Sequence, residues 1–309
     1  MSVIVPFLDE RESLPALVEE LRATLDRLDR SAEVVLVDDG STDGSTDAAL
    51  AAIGADPRFR LVRLRHNCGK SAAIAAGRDH STGSVLVTLD ADLQDSPERI
   101  PAFLAELDAG ADFVAGWRTD RSAPWHRRVL SNVFNVLTAR ITGIGVHDMN
   151  SGFKAYRREV IEAVHLSPGV HRYLAVIAHG MGYSVREVPA PHRPRQHGRS
   201  KFGPWRYPEA IAGFGIAMLA RRSTREALAG LGTIGAAVWS LTLLGAGLAA
   251  IGVLPFGIPL GIALAAGAVI GTQLLVARYA VELVLQHAAA IGAAANPYTV
   301  EAVHAPSDT

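Results

Sequence analysis

Short apolar runs alternate with helical repeats along the first 190 residues. The runs 2–6, 33–38, 60–65, 85–89, 113–117 and 184–189 are rich in Val, Ile, Leu and aromatic residues and bounded by polar turns. Each has the length and composition of a strand. Between the first two, Leu14, Leu17, Val18, Leu21, Leu25 and Leu28 recur at spacings of three and four. That period marks the buried face of an amphipathic helix. The alternation predicts an α/β domain with a mostly parallel sheet covered by helices. Ligands of such sheets bind beyond the carboxyl ends of the strands. Polar residues gather there: Asp38 and Asp39 after the second run, Asp90 and Asp92 after the fourth, Arg118 after the fifth.

The pattern then changes character. Over 204–222, Trp205 and Tyr207 precede Ile211, Phe214, Ile216, Met218 and Leu219, and Arg221, Arg222 and Arg225 follow. This reads as an interfacial helix, with aromatic residues at headgroup level and cations at the cytoplasmic face. No Asp, Glu, Lys or Arg occurs from Ala227 through Ala277. Segments 227–253 and 258–280 each reach the ~20 residues that a bilayer crossing needs, and Pro255, Gly257 and Pro259 punctuate the turn between them. Basic residues flank the outer ends and none lies in the turn, so the positive-inside rule puts both ends in the cytoplasm. Gly267 and Gly271 have the spacing that permits close helix contact, a hint of a homo-oligomer. The resulting organisation is a catalytic domain over 1–203, a juxtamembrane segment over 204–226, two membrane helices within 227–286 and a cytoplasmic tail over 287–309.

Composition narrows the class. The net charge is −1, with 30 basic and 31 acidic residues, which gives no signal for a nucleic-acid partner. Cys68 is the only cysteine, so no internal disulfide forms and a reducing compartment is expected. The first residues enter a strand pattern directly and lack the features of a signal peptide, which points to a cytoplasmic catalytic part. Locally, Arg193, Arg195, Arg199, Lys201 and Arg206 form a basic run without an acid. It suits a diphosphate, anionic lipid headgroups, or both.

Three motifs carry candidate chemistry. Asp90 and Asp92 flank one residue at a strand end, and Gln94 follows. Two carboxylates and an amide oxygen suit Mg²⁺ or Mn²⁺ bridging protein to phosphate. The run from Asp38 to Ser45 suits a capped strand-to-helix turn and also a nucleotide's base or ribose. Gly69-Lys70-Ser71 has a superficial likeness to a phosphate-binding loop, but the full spacing is absent, which disfavours ATPase chemistry.

The stretches VIVPFLDE, VVLVDDGSTDGS, RHNCGKSAAIAAG, LVTLDADLQDSPE, DMNSGFKAYRR and RPRQHGRSKF stand in one order. In that order the chain resembles family 2 glycosyltransferases, and within them the dolichol-phosphate mannose synthase and bactoprenol glucosyltransferase branch. The resemblance implies a GT-A fold. It implies transfer of a hexose from a nucleotide sugar, UDP-glucose or GDP-mannose, to a polyprenyl phosphate such as undecaprenyl phosphate. By position, Pro6, Asp9, Glu10, Asp38 and Asp39 would line the nucleotide pocket, with Lys70 and Asp90 beside them. Asp90, Asp92 and Gln94 would surround the metal. Arg118, Arg127 and Ser131 would meet the acceptor phosphate; Arg128 is the alternative to Arg127, which Ser131, one helical turn on, favours. Arg199 and Lys201 would close over the diphosphate. Asp148 would act by position or electrostatics.

The implied chemistry is inverting. The acceptor phosphate has a second pKa of about 6 and is already ionised at neutral pH, so a strong general base is unnecessary. Charge on the leaving diphosphate would be offset by the metal, Arg199 and Lys201. Processive polysaccharide synthases share the fold but carry a QxxRW motif, which is absent here. A non-catalytic membrane scaffold is the alternative from another class.

Overall fold

The computed structural model describes residues 1–118, 144–148, 151–164, 166, 168–193, 222–253, 257–294 and 298–305. These fall into two compact units, one within Met1–Ala217 and Asn296–Thr309, the other within Met218–Ala295.

The first unit is built on one eight-stranded sheet. In chain order it contains β1 (Ser2–Phe7), α1 (Leu14–Leu25), β2 (Glu33–Asp38), α2 (Ser45–Ile53), β3 (Phe59–Leu64), α3 (Lys70–Asp79) and β4 (Val85–Thr88). There follow α4 (Ile100–Asp108), β5 (Phe113–Trp117), β6 (Lys154–Arg157), α5 (Arg158–Glu162), α6 (Leu174–Gly180), β7 (Val185–Pro189) and β8 (Val300–His304). The strand order is β7-β5-β6-β4-β1-β2-β3-β8. β3, β2, β1 and β4 pair in parallel, as do β5 and β7; β6 and β8 run antiparallel to their neighbours. The order reverses at β1, which has β2 on one side and β4 on the other. A crevice forms at such a switch point, outside the carboxyl ends of the strands.

The apolar pattern explains the packing. Leu14, Leu17, Val18, Leu21 and Leu25 of α1 are buried, as their spacing predicts. α3 lies close on β1 because its inner face is small: a Cβ at Gly77 would sit 2.3 Å from Ile4 Cγ2. Phe103 of α4 stacks on Phe153, centroids 4.2 Å apart, and both are fully buried. Burying each ring stabilises by about 1.5–3 kcal/mol. The contact pins the turn that leads into β6.

Two strands depart from the sequence reading. β6, within SGFKAYRR, has only four residues, too few for a period to show. β8 falls in the segment expected to be a cytoplasmic tail. There the structure places a strand: residues 300–304 complete the sheet edge beside β3, Val303 opposite Val62. Arg63 Nε lies 3.2 Å from Glu301 Oε2. The Tyr298 hydroxyl donates to Asp79 Oδ2 at 2.6 Å.

The second unit is a pair of long helices, α7 (Arg222–Ala250) and α8 (Ile258–Ala294). Within them, Gly232–Ala250 and Leu260–Ala280 are long and apolar enough to cross a membrane. Leu241, Leu243, Leu244, Ile262 and Val269 are exposed. The helices extend past the expected limits: α7 starts inside the juxtamembrane segment, and α8 continues into the supposed tail. Gly267 and Gly271 face the other helix of the same chain. A Cβ there would fall 2.4 Å from Thr242 Oγ1 and 2.6 Å from Trp239 Cδ1 respectively, and Trp239 Nε1 donates to Thr272 Oγ1 at 3.1 Å. The small-residue spacing therefore serves the hairpin itself and carries no argument for an oligomer. Of the interfacial segment 204–226, residues 204–221 lie outside the described residues.

Candidate active site

Three turns meet where β1, β2 and β3 end. Asp9 has φ +47, unusual for a residue with a side chain. Its Oδ1 accepts from Thr42 N at 2.8 Å, and its own N–H donates to Ser41 Oγ at 2.8 Å. Glu10 opens α1: its carbonyl accepts from Ser13 N and Leu14 N, and Oε2 accepts from the Ser13 hydroxyl at 3.1 Å. Asp38, fully buried, accepts from Ser41 N at 2.7 Å and from the Thr46 hydroxyl. Asp39 accepts from Cys68 N at 2.7 Å and Gly69 N at 2.9 Å. Burial pushes the Asp39 carboxyl up, and neighbouring Asp38 adds to that, against the two N–H donors. Gly40 has φ +79, and a Cβ there would lie 2.7 Å from Asn67 N. The DDGS and HNCG turns are thus one interlocked body. Pro6 sits within central β1, buried, opposite Val37.

The next carboxylates lie after β4. Asp90 pairs with Lys70 Nζ at the start of α3. Burial would raise the Asp90 carboxyl, but Lys70, then Lys154 and Arg118, hold it below the usual carboxylate range. Gly152 lies directly behind: a Cβ there would meet Asp90 Oδ1 at 2.5 Å. Glycine in SGFK is therefore required by the seat of this carboxylate. Leu93 has φ +60, so the backbone doubles back and Gln94 N donates to Asp92 Oδ1 at 3.2 Å. Gln94 pairs with Arg193 twice: its side-chain Nε2 donates to Arg193 O at 3.2 Å, and its backbone carbonyl accepts from Arg193 N at 2.9 Å.

Asp90 and Asp92, with a cradle behind Asp90 that admits no side chain, fit a hard divalent cation. No cluster of three or more His, Cys, Asp or Glu groups suited to a metal occurs among the described residues. Such a donor set suits an ion that keeps waters and takes substrate phosphates to complete its shell.

Arg193, part of the basic run expected to meet a diphosphate or lipid headgroups, has protein partners instead. Nη1 meets Glu20 Oε1 at 2.7 Å, and Nη2 donates to Ser96 Oγ at 2.7 Å. Beside it, His192 Nδ1 lies 3.3 Å from buried Asp95. These residues strap the chain after β7 onto the DADLQ turn.

A third group sits at the end of β5. Arg118 donates from Nε to Asp148 Oδ2 at 2.5 Å and from Nη2 to Oδ1 at 2.9 Å. The Asp148 side chain is 1% exposed and that of Arg118 23%. Burial lowers the Arg118 pKa and Asp148 more than offsets it, so the guanidinium stays charged. The Trp117 ring stacks on His147 at 4.4 Å, and His147 Nδ1 lies 2.8 Å from Glu187 Oε2.

Two residues that the sequence reading left without a role lie behind this surface. Lys154 is buried, with Nζ donating to Ser151 O at 2.6 Å and His171 O at 3.1 Å. Burial, then Lys70, lowers its pKa to about 7, against Asp90 and Asp148. His171 Nδ1 lies 2.8 Å from Ser71 Oγ, and burial holds the imidazole neutral. Lysine in a motif reads as a surface contact, and nothing in SGFK signals burial. Arg127, Arg128, Ser131, Arg199 and Lys201 lie outside the described residues.

Both fold and motifs define a glycosyltransferase domain. Residues 2–164 match the Glycosyl transferase family 2 profile, and the chain belongs to that family. It is 38% identical over 207 residues to the undecaprenyl-phosphate 4-deoxy-4-formamido-L-arabinose transferase of Pseudomonas syringae pv. syringae, covering 67% of this chain and 61% of the relative. The enzyme of the same description from Edwardsiella ictaluri is 37% identical over 204 residues, 66% and 63% of the two chains. The chain thus spans less than two thirds of the length of these relatives. Glucosyl-3-phosphoglycerate synthase from Mycobacterium tuberculosis with UDP superposes at TM-score 0.56 and 21% identity, over 70% of this chain and 79% of that one. The same enzyme with Mn²⁺, UDP-glucose and phosphoglyceric acid gives 0.53 and 21%, with the same coverage. At that identity the likeness shows the GT-A-like fold.

Proposed function

We propose that this chain transfers a sugar from a nucleotide sugar to a polyprenyl phosphate, with undecaprenyl phosphate as the acceptor. The reaction inverts the anomeric centre and takes place at the cytoplasmic face of a membrane that α7 and α8 cross. The observation that carries this reading is the placement of Asp90 and the Arg118–Asp148 pair within electrostatic reach of each other at one end of the sheet. On this reading Asp90 seats a diphosphate-bound cation, and Arg118, fixed by Asp148, takes a second phosphate. The named relatives use such an acceptor, and two long apolar helices suit a substrate whose tail stays in the bilayer.

Asp9, Glu10, Asp38 and Asp39 shape the nucleotide pocket, mainly by fixing its turns. Asp90 and Asp92 would hold Mg²⁺ or Mn²⁺, which when bound offsets charge on the departing diphosphate. Gln94 supports their turn from behind. Arg118 orients the acceptor phosphate through its planar fork, together with Arg127 and Ser131. Asp148 commits both oxygens to Arg118, so it positions that group. Arg199 and Lys201 screen the leaving group. The phosphate oxygen is its own nucleophile.

The test uses the full chain in nanodiscs with undecaprenyl phosphate and radiolabelled UDP-glucose, GDP-mannose and UDP-4-deoxy-4-formamido-L-arabinose. A mild-acid-labile lipid-linked monosaccharide that disappears with chelator, or with Asp92→Asn, is expected. A water-soluble polymer, or no lipid product from any donor, overturns the reading.

A further inference from the structure

Lys70 and the proposed cation compete for one carboxylate. The Lys70 ammonium rests on Asp90 Oδ1. Asp90 cannot retreat from it, because the Gly152 backbone fills the space behind the carboxylate. Nor is α3 free to carry Lys70 away as a whole: Ser71, the next residue, is tied to His171 at 2.8 Å. Lys154, the buried lysine among the described residues, is held by two carbonyls. What can move is the Lys70 side chain, a compact charge on a flexible four-carbon stem.

We propose that Lys70 is an internal stand-in for the divalent cation: it occupies Asp90 until cation and nucleotide diphosphate arrive together, and then transfers its ammonium to a diphosphate oxygen. This deepens the reading of Asp90 and Asp92 as the metal seat and rests on it. The physical reason is exclusion between like charges. An ammonium and a dication cannot share one carboxylate oxygen without strong repulsion at such distances. The cation alone displaces Lys70 from its carboxylate into solvent, with no new anionic partner in exchange. With a diphosphate present, the displaced ammonium gains a new anionic partner. Cation and nucleotide therefore strengthen each other's binding, and Lys70 carries the coupling. Coupling between two sites commonly amounts to roughly 5–150-fold.

The experiment is Mn²⁺ titration of the full chain in nanodiscs, with free Mn²⁺ read by electron paramagnetic resonance. It is run without nucleotide, with UDP, and with GDP. For the wild-type chain, Mn²⁺ alone is expected to bind weakly and one of the nucleotides to tighten it about tenfold or more. Lys70→Met is expected to bind Mn²⁺ alone about tenfold tighter and to lose most of the nucleotide-driven gain. Lys70→Arg keeps the positive charge and should resemble the wild type without nucleotide. Asp92→Asn should lose Mn²⁺ in every condition. Unchanged or weaker Mn²⁺ binding by Lys70→Met overturns the stand-in role, even where Asp92→Asn upholds the metal seat. Undiminished binding by Asp92→Asn overturns the seat itself. Mn²⁺ affinity in the wild type that neither nucleotide alters overturns the coupling.

Discussion

Asp148 grips Arg118 at two points, with Nε–Oδ2 at 2.5 Å and Nη2–Oδ1 at 2.9 Å. The residues are 30 apart in sequence, and the carboxylate is almost wholly shielded from water. Removing one partner of such a pair leaves an uncompensated charge. Fully buried pairs lose about 3–5 kcal/mol that way; the part-exposed guanidinium here reduces the loss to about 1–3 kcal/mol. Asp148→Asn should lower the melting temperature and raise the apparent KM for acceptor about tenfold, because the fork loses its fixed plane. Arg118→Lys should not restore activity, since an ammonium cannot make the bidentate contact. Transfer assays over a range of acceptor concentrations, with thermal melts, check both.

Gly152→Ala would place a methyl group 2.5 Å from Asp90 Oδ1. Either the carboxylate turns away or the entry to β6 shifts. Overpacking of this kind costs about 1–3 kcal/mol. Mn²⁺ affinity should fall at least tenfold, about 1.4 kcal/mol, while circular dichroism keeps its shape. Affinity equal to the wild type would show that Asp90 needs no such seat.

Gly40→Ala faces two penalties, a left-handed φ of +79 and a Cβ 2.7 Å from Asn67 N. Together they should cost about 2–4 kcal/mol. The clash falls where the DDGS turn locks onto the HNCG turn, so UDP or GDP affinity should drop with stability. Calorimetric titration of the variant checks this.

Lys154 gives stability a pH dependence with a definite sign. Its folded pKa of about 7 lies below the model-peptide value of 10.5. Between those values the unfolded chain holds a proton that the native state lacks, so stability rises with pH across that window. Below about pH 7 the lysine is charged in both states and the burial penalty is complete. Denaturation of wild type and Lys154→Met from about pH 6.5 to about pH 9.5 should show the wild type gaining relative to the variant as pH rises. A constant difference would mean that Lys154 titrates normally.

Much of the fold was legible because it rests on local periods. All six apolar runs became strands, and the α1 stripe packs as its spacing requires. β6 was not legible, as its four residues alternate too briefly and owe their place to neighbours on both sides. β8 was hidden by its position after a long apolar helix, where a polar end reads as solvent-exposed. In the site, Asp90 and Asp92 announced themselves through a strand end. The grip of Asp148 on Arg118, the seat at Gly152 and the burial of Lys154 depend on contacts distant in sequence. Arg193 shows the converse: a residue that looks available for ligand or lipid commits its side chain to Glu20 and Ser96.

The position of β8 in chain order has a consequence for biogenesis. Residues 300–304 leave the ribosome only after both long helices have been synthesised, yet they cover the side of β3. Until then β3 presents unpaired backbone groups, a template for aggregation. Translation therefore delivers the apolar hairpin before the strand that closes this edge, and the β3 edge stays open until synthesis has passed both helices.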